Sequence, residues 1–177
     1  MDRVYSPWRA EHVSRVSNDD SYDADVSIFA RIAESTDDAD NLVVWRGETV
    51  FVLMNLYPYT NGHVMIVPFR QVGEFEELNH NEVFEISITA QFCIRWLKTV
   101  MNPDGFNMGL NLGTSAGAGI TKHIHMHIVP RWTGDTNFTS TVGDFRVIPQ
   151  SIEDTYKRLA DAARKNPVEL PNSQSLK

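Results

Sequence analysis

The segment His123-Ile124-His125-Met126-His127-Ile128-Val129 constrains the fold more than any other part of the chain. Histidine alternates with an apolar residue at every step, and a period of two belongs to a β-strand with one face buried. A strand over residues 123–130 sends Ile124, Met126 and Ile128 into a core and leaves His123, His125 and His127 on the opposite face. Adjacent imidazoles on that face lie about 6.5–7 Å apart at Cα, from the rise of an extended chain. Such a strand needs partners, and the sequence offers them. Leu42–Trp45 and Thr49–Met54 flank the turn Arg46-Gly47-Glu48 and read as a hairpin. Residues 63–69 read as a third strand and 106–112 as a fourth. Residues 81–101 form a long helix, with Val83, Ile86, Ala90, Cys93, Leu97 and Val100 at steps of three and four. A second stripe, Phe84, Ile88, Phe92 and Trp96, predicts burial on two sides, by a wide core face or by a partner subunit. Ser151 caps a second helix to Arg164. The fold class is α+β: an antiparallel sheet of about five strands with one long and one or two shorter helices.

The chain of 177 residues divides into an acidic N-terminal arm over 1–40, a folded domain over 41–165 and a polar tail over 166–177. The arm holds Asp19, Asp20, Asp23, Asp25, Asp37, Asp38 and Asp40 around one short apolar patch, Ile28–Ile32. The aromatic pair Tyr5 and Trp8 reads as a candidate for docking on the body. A net charge of -7 without a dense Lys/Arg cluster speaks against a nucleic-acid backbone binder, so a bound phosphate must be held by local groups. The one cysteine, Cys93, excludes an intrachain disulfide and any zinc site of several thiolates, and its apolar neighbours assign it to packing. Residues 1–10 carry no apolar run and no stretch is long enough for a membrane span, so the expected location is cytoplasmic.

Three histidines on one face admit three readings. They are the polar half of an amphipathic strand. Or they are metal ligands in His-x-His spacing, with His63 as a third. Or the central imidazole is a nucleophile toward phosphorus, flanked by hydrogen-bond donors. The loop Gly113-Thr114-Ser115-Ala116-Gly117-Ala118-Gly119 favours the last, because small residues let backbone N–H groups approach an anion.

The pattern His-φ-His-φ-His-φ-φ (φ apolar), with the upstream Gly62-His63-Val64 and Ile66-Val67-Pro68, resembles the histidine triad (HIT) superfamily over roughly residues 42–132. The stretches 53–59, 111–117 and 129–132 are most similar to its bacterial diadenosine tetraphosphate phosphorylase branch. The resemblance implies that His125 is the nucleophile of a nucleotidyl-imidazole intermediate, oriented by a carbonyl near His123. It implies that His127 and His63 contact phosphate and help move protons. It places Asn55 at ribose hydroxyls, Leu53 and Met65 around the base, Asn111 near the leaving group and Trp132 beside the pocket. The Gln of the diadenosine triphosphate hydrolases is absent here, with Gly119 at about its position. Phosphate contact then falls to backbone N–H groups, to Ser115 or to Thr121, with Gly117 and Gly119 allowing the approach, and the acceptor stays open between water and phosphate. No cofactor and no structural zinc are required, although a divalent cation carried by the substrate is compatible. The implied partners are an adenine nucleotide or dinucleoside polyphosphate and a second copy of the chain, with no nucleic acid and no membrane. Alternatives are a nucleoside phosphoramidate hydrolase, a uridylyltransferase-type enzyme (against which His127 argues) and a nucleotide-binding sensor with vestigial activity.

Overall fold

A computed structural model of the chain describes residues 25–143 and 148–170. Tyr5, Trp8, Asp19, Asp20 and Asp23 lie outside the described residues, as do residues 171–177 of the expected tail.

Five strands form one antiparallel sheet: β1 (Val43–Arg46), β2 (Val50–Met54), β3 (Val64–Pro68), β4 (Gly105–Leu110) and β5 (Met126–Arg131). Their spatial order is β1-β2-β3-β5-β4. Helix α1 is Ile28–Glu34, α2 is His80–Met101, α3 is Phe138–Thr141 and α4 is Ile152–Lys165. The α+β class holds.

Alternation sorts every central strand between two apolar layers. Val50, Val52 and Met54 of β2, Val64 and Ile66 of β3 and Ile128 of β5 pack with Ile86, Ala90, Cys93, Leu97 and Val100 of α2. The intervening Phe51, Leu53, Met65 and Val67 form a smaller cluster on the other face, closed by Phe29 of α1. The second stripe of α2 is met within the chain at its Trp96 end. Trp96 is buried and donates its indole N–H to the Asn166 carbonyl at 2.8 Å, just past α4. Leu159, Ala162 and Ala163 of α4 join the same core. Phe84, Ile88 and Phe92 stay half-buried. Cys93 is buried, and burial raises its thiol far above the ordinary range, in keeping with packing.

The Ser151 cap is as expected, whereas the cap of α2 was not singled out in the sequence. Asn79 accepts from the Glu82 N–H while Glu82 reaches back to the Asn79 N–H, a reciprocal cap on α2. Ser151 accepts from the Asp154 N–H at 3.1 Å and caps α4.

One strand boundary differs from expectation. β5 begins at Met126, so His123 and Ile124 do not continue the ladder. The Ile124 N–H donates instead to the Val72 carbonyl at 2.7 Å, pulling residues 123–125 onto the segment that follows β3.

A candidate active site built on four histidines

The site lies on the sheet face opposite α2. Register places Leu53 beside Met65, Met65 beside His127, and His127 beside Gly109, in one row across four strands. His63 immediately precedes β3 and, two residues from Met65, shares its face.

Hydrogen bonds fix the protonation of each ring. The Tyr59 N–H donates to His63 Nδ1 at 3.1 Å, and the Asn55 amide N–H lies 3.3 Å from the same nitrogen. His63 Nδ1 is therefore an acceptor and its Nε2 carries the proton. That proton is donated to His127 Nδ1 at 2.9 Å. His127 in turn carries its proton on Nε2, 3.4 Å from the Asn111 side-chain amide. This arrangement calls for the Asn111 oxygen to face the ring, a half-turn of the amide. His125 donates from Nδ1 to the His123 carbonyl at 2.9 Å. Its Nε2 then holds a free lone pair, and no described residue bonds it. The His125 and His127 rings meet nearly edge to face, with centroids 4.8 Å apart.

His123 behaves differently. The expectation that all three triad rings face one ligand together does not hold for it. Its side chain is fully buried, Nε2 donates to the Pro68 carbonyl at 2.8 Å, and Nδ1 accepts from the Ser27 hydroxyl at 2.6 Å. Both ring nitrogens are occupied, and what His123 offers the site is its carbonyl.

Burial keeps all four rings neutral. It pushes His63 down to about 3, helped by the facing His127 and His125, and His127 down to about 4, helped by His125. His123 and His125 are lowered chiefly by burial as well. The unfolded chain takes up protons at these histidines near 6.5, where the folded chain does not, so folding stability falls as pH drops below that value. Thermal unfolding should show a nearly constant melting temperature above about pH 7 and a steady decline from there toward pH 4. A His63→Gln variant should show a shallower decline, and an unchanged profile would contradict the burial of a neutral His63.

The other expected site residues fall in three groups. Leu53 and Met65 are buried in the Phe29 cluster, an apolar wall beside the histidines. Asn55 sits on His63 and accepts from the Tyr57 N–H at 2.9 Å. The small-residue loop leaves from Asn111 and returns to His123, so both its ends are tied to the site. Within it the N–H groups of Ala116, Gly117 and Ala118 bond to Gly113 and Thr114 carbonyls, while Ser115, Gly119 and Thr121 are exposed. Gly113 (φ +76°) and Gly117 (φ +91°) adopt left-handed backbone that side chains disfavour. Trp132 is half-buried just beyond β5, with its N–H on Asp135. Among the described residues, the aromatic rings that touch the histidines are Phe29 and Tyr59. Phe29 lies 5.7 Å from His123 and 5.0 Å from His125, and Tyr59 stacks on His127 at 5.6 Å. Sequence reading missed both. Phe29 is visible in the sequence only as part of the short apolar patch 28–32, and Tyr59 only as the last residue of the resembling stretch 53–59. Among the described residues, no three of His, Cys, Asp and Glu are grouped as a metal ion would require.

The family model for the HIT domain matches residues 36–134. A protein named AP-4-A phosphorylase from Mycobacterium tuberculosis (strain H37Rv) is 42% identical over 170 residues, covering 94% of this chain and 87% of that one. A bis(5'-adenosyl)-triphosphatase from Dictyostelium discoideum is 33% identical over 89 residues, covering 50% of this chain and 59% of that one. Among solved structures, a zinc-bound histidine triad family protein from Mycobacterium smegmatis has the same fold. Its TM-score is 0.63 at 24% identity, covering 78% of this chain and 93% of that chain.

Proposed function

The chain belongs to the HIT domain family, and on that premise we propose that it cleaves a dinucleoside polyphosphate, diadenosine tetraphosphate in the first instance, through a nucleotide held covalently on His125. One observation carries this reading: His125 Nδ1–H is anchored on the His123 carbonyl, which leaves a neutral Nε2 lone pair beside His127.

In the first step His125 Nε2 attacks the α-phosphorus. An N–P bond forms, the P–O bond to the rest of the substrate breaks, and ATP departs. His127 Nε2–H faces that leaving oxygen, and its proton position is set by His63 behind it. Asn111 lies beside the same nitrogen. In the second step an oxygen of inorganic phosphate attacks the phosphorus, the N–P bond breaks, and ADP is released with His125 restored. Two displacements with a good nucleophile and fixed donors replace one difficult displacement. The apolar wall of Leu53, Met65 and Phe29 suits an adenine base, and we assign Asn55, Ser115, Gly119, Thr121 and Trp132 to the remaining nucleotide groups. Phosphate is favoured over water as acceptor by the 42% identical relative and by the Gly119 that stands where hydrolases carry Gln.

Incubation with diadenosine tetraphosphate should give ADP and ATP only when inorganic phosphate is present. AMP and ATP formed in water alone would assign hydrolysis, and no products under either condition would leave a nucleotide-binding role. A nucleoside phosphoramidate, tested alongside, should be a poorer substrate.

The assembly we propose is a homodimer. β4 is a sheet edge, and Met108 on it and Leu112 just beyond are about half exposed. A second copy pairing there would cover them, and a single-chain mass in sedimentation would refute it. A cytoplasmic location fits the one unpaired thiol, and no described helix is long and apolar enough to cross a membrane.

A further inference from the structure

We propose that Ser27 is a positioning residue for this reaction, holding the His123 ring in one tautomer and one orientation so that the His123 carbonyl can fix His125. The claim about turnover rests on the function proposed above. The claim about the tautomer rests on geometry alone.

The Pro68 carbonyl can only accept, so His123 Nε2 must carry the proton and Nδ1 must hold a lone pair. In this fully buried ring that lone pair needs a donor, and the Ser27 hydroxyl is 2.6 Å away. The same oxygen already accepts the Ala30 N–H at 3.0 Å as the cap of α1, which directs its own proton to His123. Ser27 is itself held. Its N–H donates to Gln71 Oε1 at 2.8 Å, and the Gln71 amide donates to the Asp25 carbonyl at 2.8 Å. Residues 71–72 thus grip the Ser27 backbone on one side and, through the Val72 carbonyl, Ile124 on the other. Ser27 precedes the 36–134 span matched by the family model, so the contact comes from a part of the chain that the match does not cover.

Removing the hydroxyl leaves a buried acceptor unsatisfied. The ring then gains by turning Nδ1 toward another donor, and turning loosens the Pro68 bond that keeps the proton on Nε2 and, with it, the carbonyl that orients His125. The effect should fall on kcat, because the ring does not touch substrate.

The test compares wild type with Ser27→Ala, Ser27→Gly and Ser27→Thr. Imidazole nitrogen NMR reports each tautomer without substrate, and kcat and KM are measured on diadenosine tetraphosphate with phosphate. Wild type and Ser27→Thr should show His123 protonated only on Nε2. In Ser27→Ala and Ser27→Gly the His123 signals should average between tautomers, with kcat lowered about tenfold, the value of one neutral hydrogen bond, and KM changed little. Glycine is nearly as good a helix cap as serine, whereas alanine is not. If Ser27 only caps α1, Ser27→Gly keeps its rate and Ser27→Ala loses it. That ranking, or an unshifted His123 signal in both variants, overturns the proposal. If wild type cleaves no dinucleotide, the functional reading fails, and the spectra alone decide whether Ser27 sets the tautomer.

Discussion

Replacing His125 with Ala is expected to lower turnover of diadenosine tetraphosphate by about four orders of magnitude or more while nucleotide binding persists. In a covalent route the N–P bond cannot form without Nε2, and no neighbour is placed to substitute. His63 directs Nε2–H at His127, and the lone pair of His127 is occupied by that proton. His123 has both nitrogens bonded. Of the four clustered imidazoles, that of His125 alone combines a fixed tautomer with a lone pair that no described residue bonds. Loss of a residue that acts as nucleophile commonly costs about 10⁴–10⁶ in kcat. The apolar wall formed by Leu53, Met65 and Phe29 remains intact in the variant, so binding should change little. Titration with AMP separates the two effects, and a variant that turns over normally would remove His125 from the chemistry.

A second large effect is expected far from the histidines. Glu85 of α2 is buried and accepts from the Glu48 N–H at 2.8 Å, the Thr49 N–H at 2.7 Å and the Thr49 hydroxyl at 2.5 Å. It therefore closes the turn between β1 and β2 onto the long helix. Glu85→Ala leaves two backbone donors and a hydroxyl facing a cavity, each costing about 1–3 kcal/mol when buried and unmatched. A net loss of about 3 kcal/mol is expected after some water enters, or about 10 °C in melting temperature for a chain of this size. Gly47→Ala attacks the same contact from the turn, because a Cβ there would overlap the Glu85 carboxylate and the Trp45 ring. Both variants should melt early and yet show near-normal kcat at a temperature where they are folded. Unchanged melting of Glu85→Ala would mean that the turn is held by something else.

The contrast between these two sites explains what the sequence could convey. Period-two and period-three-to-four patterns report which face of an element is buried, and they placed β2, β3, α2 and α4 within a residue or two. Alternation set His127 on the face opposite Ile128, whereas Leu53 and Met65 entered only through the family resemblance, and the register sets the three in one row. Pattern does not report which distant group a side chain meets. Glu85 falls on neither apolar stripe of α2 and nothing in the pattern singles it out, because its partners are the backbone of a turn 36 and 37 residues away. His123 looked like a third ligand-facing ring, because the Ser27 hydroxyl and the Pro68 carbonyl that occupy it lie 96 and 55 residues away. The early start assigned to β5 failed for a related reason. Alternation continues through His123-Ile124-His125, but the Ile124 N–H leaves the ladder for Val72. The stacking of Tyr59 on His127 was hidden because its loop carries turn residues and no period.

The stereochemical course at phosphorus tests the covalent intermediate most directly. A single diastereomer of diadenosine tetraphosphate with sulfur at the α-phosphorus, cleaved in the presence of inorganic phosphate, yields a chiral α-thio ADP whose configuration can be assigned. Transfer through His125 involves two in-line displacements and predicts retention. Inversion would mean that phosphate attacks the substrate directly, and the role given to the His125 lone pair would be wrong.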